Sequence, residues 1–131
     1  IAHSRELSNT IADQVSAQLT AITPQPPYVG GYELKTVPAM TNSLGTMSFG
    51  VLAEAINGCT TRYLHATGRR NVLVEGLNLT TFRPIQLESV VTVLLRELEM
   101  TRHDATLDVD VLSDGVQVAK AIVTCQLLER N

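Results

Sequence analysis

Apolar residues recur at helical spacing in two stretches of this chain and alternate with polar ones in most of the rest. Leu7, Ile11, Val15, Leu19 and Ile22 are three or four residues apart, which predicts an amphipathic helix over 4–22. Ser4 can cap it, without the acid three residues later that a capping box requires. The polar opposite face means that this helix lies on an upstream domain, a partner copy or the core that follows. Residues 23–31 hold prolines at 24, 26 and 27 and close on a Gly pair, the composition of a stiff linker. A boundary is therefore expected between 1–30, a leading helix and Pro-rich linker, and 31–131, the main domain.

Tyr32, Leu34 and Thr36, continued by Ala39 and Met40, predict a first strand stopped near Pro38. A second helix is expected over 47–66. Met47, Val51, Ala55, Cys59 and Tyr63 form one i, i+4 row, and Leu52, Ile56 and Leu64 widen it into a stripe that a partner surface nearly encloses. At 1.5 Å per residue it is about 28 Å long. Gly58 in its middle costs about 1 kcal/mol against Ala, which suggests close backbone packing. Thr67 and Gly68 supply the stop. Four strands follow in series, over 71–83, 89–99, 105–112 and 116–128. Gly76 marks a bulge in the first. In the third, Ala105, Leu107, Val109 and Val111 alternate with Thr106, Asp108 and Asp110. Asp114 and Gly115 make a hairpin turn, and the last strand is apolar on both faces for part of its length.

Composition narrows the choice. The chain has 131 residues, 44% of them hydrophobic, enough for one globular domain with a single core. Ten Lys+Arg against thirteen Asp+Glu give a net charge of −3, which lacks the basic footprint of a nucleic-acid binder. Arg69 and Arg70 form the one adjacent basic pair. It reads first as a solvated turn and second as a contact for the phosphates of a small ligand. No run reaches the roughly 20 apolar residues of a membrane span, and no signal peptide is visible. A start at Ile1 suits an excised or processed piece of a longer protein. Cys59 and Cys125 sit in apolar patterns without metal spacing, as reduced buried thiols of a cytoplasmic protein would.

The stretch 40–58 is the richest in chemistry. A polar, glycine-punctuated loop runs into the long helix, whose first N–H groups and dipole can receive a carbonyl or an anion. The side chains offered there are mostly amides and hydroxyls: Asn42, Ser43, Thr46, Ser48 and Asn57. Glu54 is its one acid.

Strand, polar Gly loop, long helix and an antiparallel run ending in DGVQVAKAIVTCQL resemble the hotdog fold of acyl-CoA thioesterases, dehydratases and some acyl-CoA sensors. The likeness covers about 31–129. It implies an α+β fold in which a curved antiparallel five-stranded sheet wraps one long central helix, with the N-terminal helix outside it. More narrowly, MTNSLG at 40–45, VEGL at 74–77, FRP at 82–84 and CQLLER at 125–130 resemble the C-terminal hotdog domain of bacterial proteins that carry DRTGG and CBS domains upstream. The resemblance implies a homodimer, with a tetramer as the larger alternative. It places an acyl-thioester at the dimer interface and calls for no membrane, nucleic-acid or metal partner and no required cofactor, with a coenzyme A thioester as the ligand.

It also implies where catalytic groups would stand. One thioesterase pattern has a loop Asp three residues before a Gly, which falls on Asn42 and Gly45. The other has a loop His and, nine residues on, a helix acid, which fall on Ser48 and Asn57, with the trailing Gly at Gly50. Phe49 stands where many relatives have Gly. Asn is not basic near neutral pH and can only orient or hydrogen-bond, so the general base is missing while the helix start could still polarise a carbonyl. Glu54 could replace the base, or it faces solvent or an arginine. Glu75 could reach the cleft from a partner, or it is an ordinary strand acid. Ser48 reads as a helix cap before it reads as a nucleophile. His65 suits the helix C-terminus, His103 a solvated turn, and His3 lies far from the loop in sequence. Three functions are thus expected in order: a thioester-binding sensor module of a CBS protein, a thioesterase using Glu54 or a partner-chain acid, and a dimerisation module without ligand.

Overall fold

A computed structural model of the chain describes residues 13–128. The expectations for His3, Ser4, Leu7 and Ile11 lie outside the described residues. Residues 13–18 form a short helical segment, α1, which runs directly into strand β1 (Leu19–Ile22). The helix expected through residue 22 therefore ends at 18. Leu19 to Ile22 pair antiparallel with the next strand, β2 (Gly30–Lys35), with Leu19 opposite Leu34 and Ile22 opposite Gly31. Spacings of three and four do not exclude a strand when a ladder partner is available, and pairing satisfies backbone groups that an exposed helix end would leave to water.

The remaining strands are β3 (Val72–Thr81), β4 (Val90–Met100), β5 (Asp104–Ser113) and β6 (Val116–Leu127), with helix α2 (Phe49–Ala66) between β2 and β3. They form one antiparallel sheet in the order β1-β2-β4-β5-β6-β3. Among the described residues the sheet has six strands rather than the expected five, because β1 joins its edge. Pro38–Met40 is a single 3-10 turn and not the end of a strand. The proline supplies no ladder N–H, and Met40, 1% exposed, tucks into the core instead. The bulge expected at Gly76 is present, as a register shift between Val74 and Gly76.

The core lies between α2 and one face of the sheet. α2 contributes Val51, Leu52, Ala55, Ile56, Cys59, Tyr63 and Leu64, and the sheet answers with Val91, Val93 and Leu95 of β4 and Leu107, Val109 and Val111 of β5. Each of these large aliphatic side chains contributes on the order of 1.5–3 kcal/mol by leaving water. Cys59 and Cys125 are free and buried among them, and burial pushes the Cys59 thiol up to about 12. Gly30 packs under the Tyr63 ring so closely that a Cβ there would meet Cδ1 at 2.6 Å. Tyr63 then donates its hydroxyl to Glu97 Oε2 at 2.6 Å. Gly58 differs: a Cβ would reach Leu19 Cδ1 at 3.4 Å, an ordinary contact, so close approach does not demand glycine there.

The other face of the sheet carries a polar network. Asp108 is 3% exposed and accepts from Arg96 and, at 2.5 Å, from Lys120 Nζ. Burial acts to raise its pKa, but the hydrogen bonds from Lys120 and Arg96 outweigh it and hold the carboxyl below the usual range. Asp110 beside it accepts from Tyr28 Oη at 2.5 Å and from Gln117 Nε2 at 2.9 Å, which docks the 23–29 connection onto the sheet.

Candidate functional site

The loop before α2 is a small closed structure. Asn42 N–H donates to Thr46 O at 2.7 Å, and Gly45 N–H to Asn42 O at 3.0 Å. The Asn42 carboxamide oxygen accepts three times, from Leu44 N–H at 2.9 Å, Thr46 N–H at 3.3 Å and Thr46 Oγ1 at 3.1 Å. Asn42 is thus spent on holding its own turn, as short amides commonly are. Gly45 takes φ +77°, a left-handed conformation that costs a side-chain-bearing residue energy. Met47 N–H to Ile85 O at 2.8 Å and Leu87 N–H to Gly45 O at 3.0 Å tie the loop to the β3–β4 connection.

Ser48 ends the loop as the N-cap of α2. Its Oγ accepts from Val51 N–H at 3.2 Å, and its carbonyl from Leu52 N–H at 3.1 Å. Among the described residues that leaves the N–H groups of Phe49 and Gly50 as the unspent donors of the first turn. Gly50 is exposed, and a Cβ there would meet nothing within 4 Å. Phe49 is 60% exposed and lines an open cleft of about 360 Å³ with Ser48, Leu52, Phe82, Arg83 and Ile85. Phe82 and Arg83 reach it because β3 ends at Thr81 beside the helix start.

Glu54 and Asn57 are elsewhere. They line a second cleft, of about 390 Å³, between α2 and the α1–β1 segment, with Asp13, Ser16, Thr61 and Arg62. The Asn57 Oδ1 atom is buried there without a hydrogen-bond partner among the described residues. Glu54 is exposed. Arg62 closes the far side by donating to Leu19 O at 3.2 Å and, through Nη2, to Ser16 O at 2.8 Å and Ser16 Oγ at 2.7 Å. Within one chain, then, Ser48 and Phe49 share one cleft, Glu54 and Asn57 share another, and Asn42 and Gly45 line neither. The sequence read in isolation did not single out Arg62, Phe82 or Arg83 as site neighbours. Their positions depend on which helix face meets α1 and where β3 ends.

A third cleft, of about 590 Å³, lies at the opposite end of α2 and is lined by Arg69, Arg70 and Arg102 among others. Arg102 stands on the β4–β5 turn and joins the pair singled out in the sequence only once the hairpin register is known. Among the described residues no helix is long and apolar enough to cross a membrane, and no group of three or more His, Cys, Asp or Glu could hold a metal ion.

No protein-family model matches the sequence. The chain is 37% identical over 100 residues to the uncharacterized protein YtoI of Bacillus subtilis strain 168, a match that covers 76% of this chain and 23% of YtoI. The chain thus spans about a quarter of that relative's length. Among solved structures, a hypothetical thioesterase from Streptococcus pneumoniae TIGR4 with coenzyme A superposes with a TM-score of 0.79 at 16% identity, over 95% of this chain and 96% of that one. A thioesterase from Thermus thermophilus complexed with coenzyme A and Zn gives 0.70 at 19% identity, over 80% and 83%. Zebrafish thioesterase superfamily member 2 gives 0.77 at 19%, over 94% of each. At these identities the likeness establishes the fold.

Proposed function

Because this chain has the hotdog fold of thioesterase-superfamily proteins, we propose that it binds an acyl-CoA thioester without efficient hydrolysis, as the ligand-sensing part of a longer protein. Two amides carry this reading. Asn42 is committed to its own turn, and Asn57, the residue that the sequence resemblance maps to a base, offers only a carboxamide and lies in a separate cleft of the same chain from Phe49 and Gly50. The free N–H groups of Phe49 and Gly50 remain able to polarise a thioester carbonyl, so binding survives the loss of the base. Coenzyme A in two of the solved neighbours supports the ligand class. The length of YtoI leaves room for further domains, and those that the sequence resemblance implies are CBS and DRTGG modules.

The assembly that goes with this reading is a homodimer. Among the described residues β3 pairs with β6 on one side only, so its ten residues form a sheet edge, with Leu73 (49% exposed) along it and Phe82 (54% exposed) just past its end. A second copy pairing there would cover an edge that is otherwise a hazard. It would also bring a second set of clefts to the helix starts.

A second reading has one observation in its favour: Glu54 shares its cleft with Asn57 and could serve as the base of a working thioesterase. The two readings separate in one experiment. The protein is incubated with short, long and aromatic acyl-CoAs while free thiol and thermal shift are followed together. A saturable shift without turnover is expected. Turnover that Glu54→Gln abolishes would replace the first reading with the second, and no shift with any CoA species would leave a dimerisation module. Asn57→Asp supplies a carboxylate at the mapped position and is expected to raise thiol release about a hundredfold or more, the lower end of what a positioned base contributes. An unchanged rate in a folded, CoA-binding variant would remove Asn57 from the site.

A further inference from the structure

The α1–β1 segment lies on α2 under opposing forces. Glu54, Asn57, Gly58, Thr61 and Arg62 form one row along α2, and Asp13, Val15, Ser16 and Leu19 stand across a cleft from them. Arg62 holds the segment down. α1 turns straight into β1, so no further turn supplies N–H donors to its last carbonyls. The Arg62 guanidinium supplies them, through Nη2 to Ser16 O at 2.8 Å and Nη1 to Leu19 O at 3.2 Å, and its charge suits that end of a helix. Val15 and Leu19 add apolar burial, while β1 contributes only a four-residue edge ladder to β2. Against these stand two buried acceptors. Asn57 Oδ1 on α2 and Gln14 Oε1 on α1 accept from nothing among the described residues. A segment lifted off α2 exposes both to water, whereas the docked one keeps the desolvation cost of each. Such a movement ends at Tyr28, whose hydroxyl bond to Asp110 anchors the 23–29 connection to the sheet.

We propose that α1–β1 is a strap over the Asn57 face of α2, latched by Arg62, which opens and closes on the folded domain and which a ligand in the cleft closes by giving Asn57 Oδ1 its missing donor. The ligand-driven half rests on the function proposed above. A coenzyme A thioester carries amide N–H groups in the arm next to its sulfur, the kind of donor that Asn57 lacks. The strap then reports, at the N-terminal side of the domain, whether the cleft is filled.

Hydrogen exchange of the 131-residue chain, read over 13–22 and over the central strand β5, tests the strap. Arg62→Met keeps the aliphatic stem and loses the three bonds to Ser16 and Leu19. Exchange over 13–22 is expected to rise about tenfold or more in this variant, with β5 unchanged. Asn57→Leu has the same branched shape without the unpaired acceptor, and exchange over 13–22 is expected to fall about threefold or more. A contact that is merely structural would not give that second result, because replacing its side chain would only loosen the segment. Acetyl-CoA, decanoyl-CoA and benzoyl-CoA are then added to wild type and to Asn57→Leu, with melting followed in parallel. A thioester that raises the melting temperature of wild type is expected to slow its exchange over 13–22, and to leave that of Asn57→Leu unchanged. The strap is overturned if Arg62→Met exchanges over 13–22 as wild type does, if β5 speeds up by the same factor, or if Asn57→Leu exchanges faster. If a thioester raises the melting temperature but not the protection of 13–22, the thioester-binding function stands and the ligand-driven closure is overturned. If no thioester raises it while both variants behave as stated, the thioester-binding function falls and the latched strap stands.

Discussion

Asn42 shows how one atom decides a residue's part. The three bonds that its side chain makes with the described residues all run through the carboxamide oxygen, and all three come from donors within four residues. A carboxylate accepts the same bonds, so Asn42→Asp is expected to leave the melting temperature within experimental error, whereas Asn42→Ala takes the shared acceptor away from three donors and is expected to cost about 1 kcal/mol. Thermal melts of the pair check this; equal losses would mean that the turn does not depend on that oxygen. Asp108 is the opposite case, a carboxylate whose charge matters. Its folded pKa lies below the unfolded value of about 3.9, so its contribution is fully present above that value and is lost as pH falls through the folded pKa. Asp108→Asn is expected to lower urea-measured stability by about 1.5–3 kcal/mol at pH 7, with the gap to wild type closing below about pH 4. A gap of constant size across that range would show that shape rather than charge is what Asp108 contributes.

At the scale of elements, periodicity proved a good guide wherever one face of an element was fully covered. In β5, Ala105, Leu107, Val109 and Val111 are all at most 1% exposed, as their alternation requires. The limits of α2 were legible too, from Ser48 as cap and Thr67 and Gly68 as stop. The misreading at Leu19–Ile22 has a definite cause: four apolar and small polar residues are too few to separate periods of 2 and 3.6, and the partner β2 lies beyond three prolines. The site was legible in part. Spacing placed Ser48 at the helix start and put Asn57 nine residues on, but it could not say that the intervening turns carry Asn57 to a face that meets α1. Nor could it assemble the arginine cleft, since Arg70 and Arg102 are brought together by the β4–β5 hairpin and the end of β6.

At the scale of the molecule, the sheet formed by the described residues has two unequal edges. β1 is four residues long and β3 is ten, so the β3 edge offers the longer row of unpaired backbone groups. If two copies meet there, Leu73→Lys combined with Phe82→Lys puts four charges into the shared surface, and sedimentation is expected to move from dimer to monomer. A wild-type monomer would remove the dimer altogether, and a doubly substituted dimer would place the contact elsewhere.

The strand order also sets a timetable. β3 emerges from the ribosome soon after α2, yet its neighbour in the sheet is β6, whose last residue is Leu127. At roughly 5–20 residues per second the nascent chain spends seconds with β3 unmatched and Val72, Val74, Leu77 and Leu79, which pack against the core in the finished fold, uncovered. Chains halted before Val116 would keep α2 and every earlier strand but leave β3 with no mate. Such products are expected to be the form of this protein that chaperones hold and proteases remove.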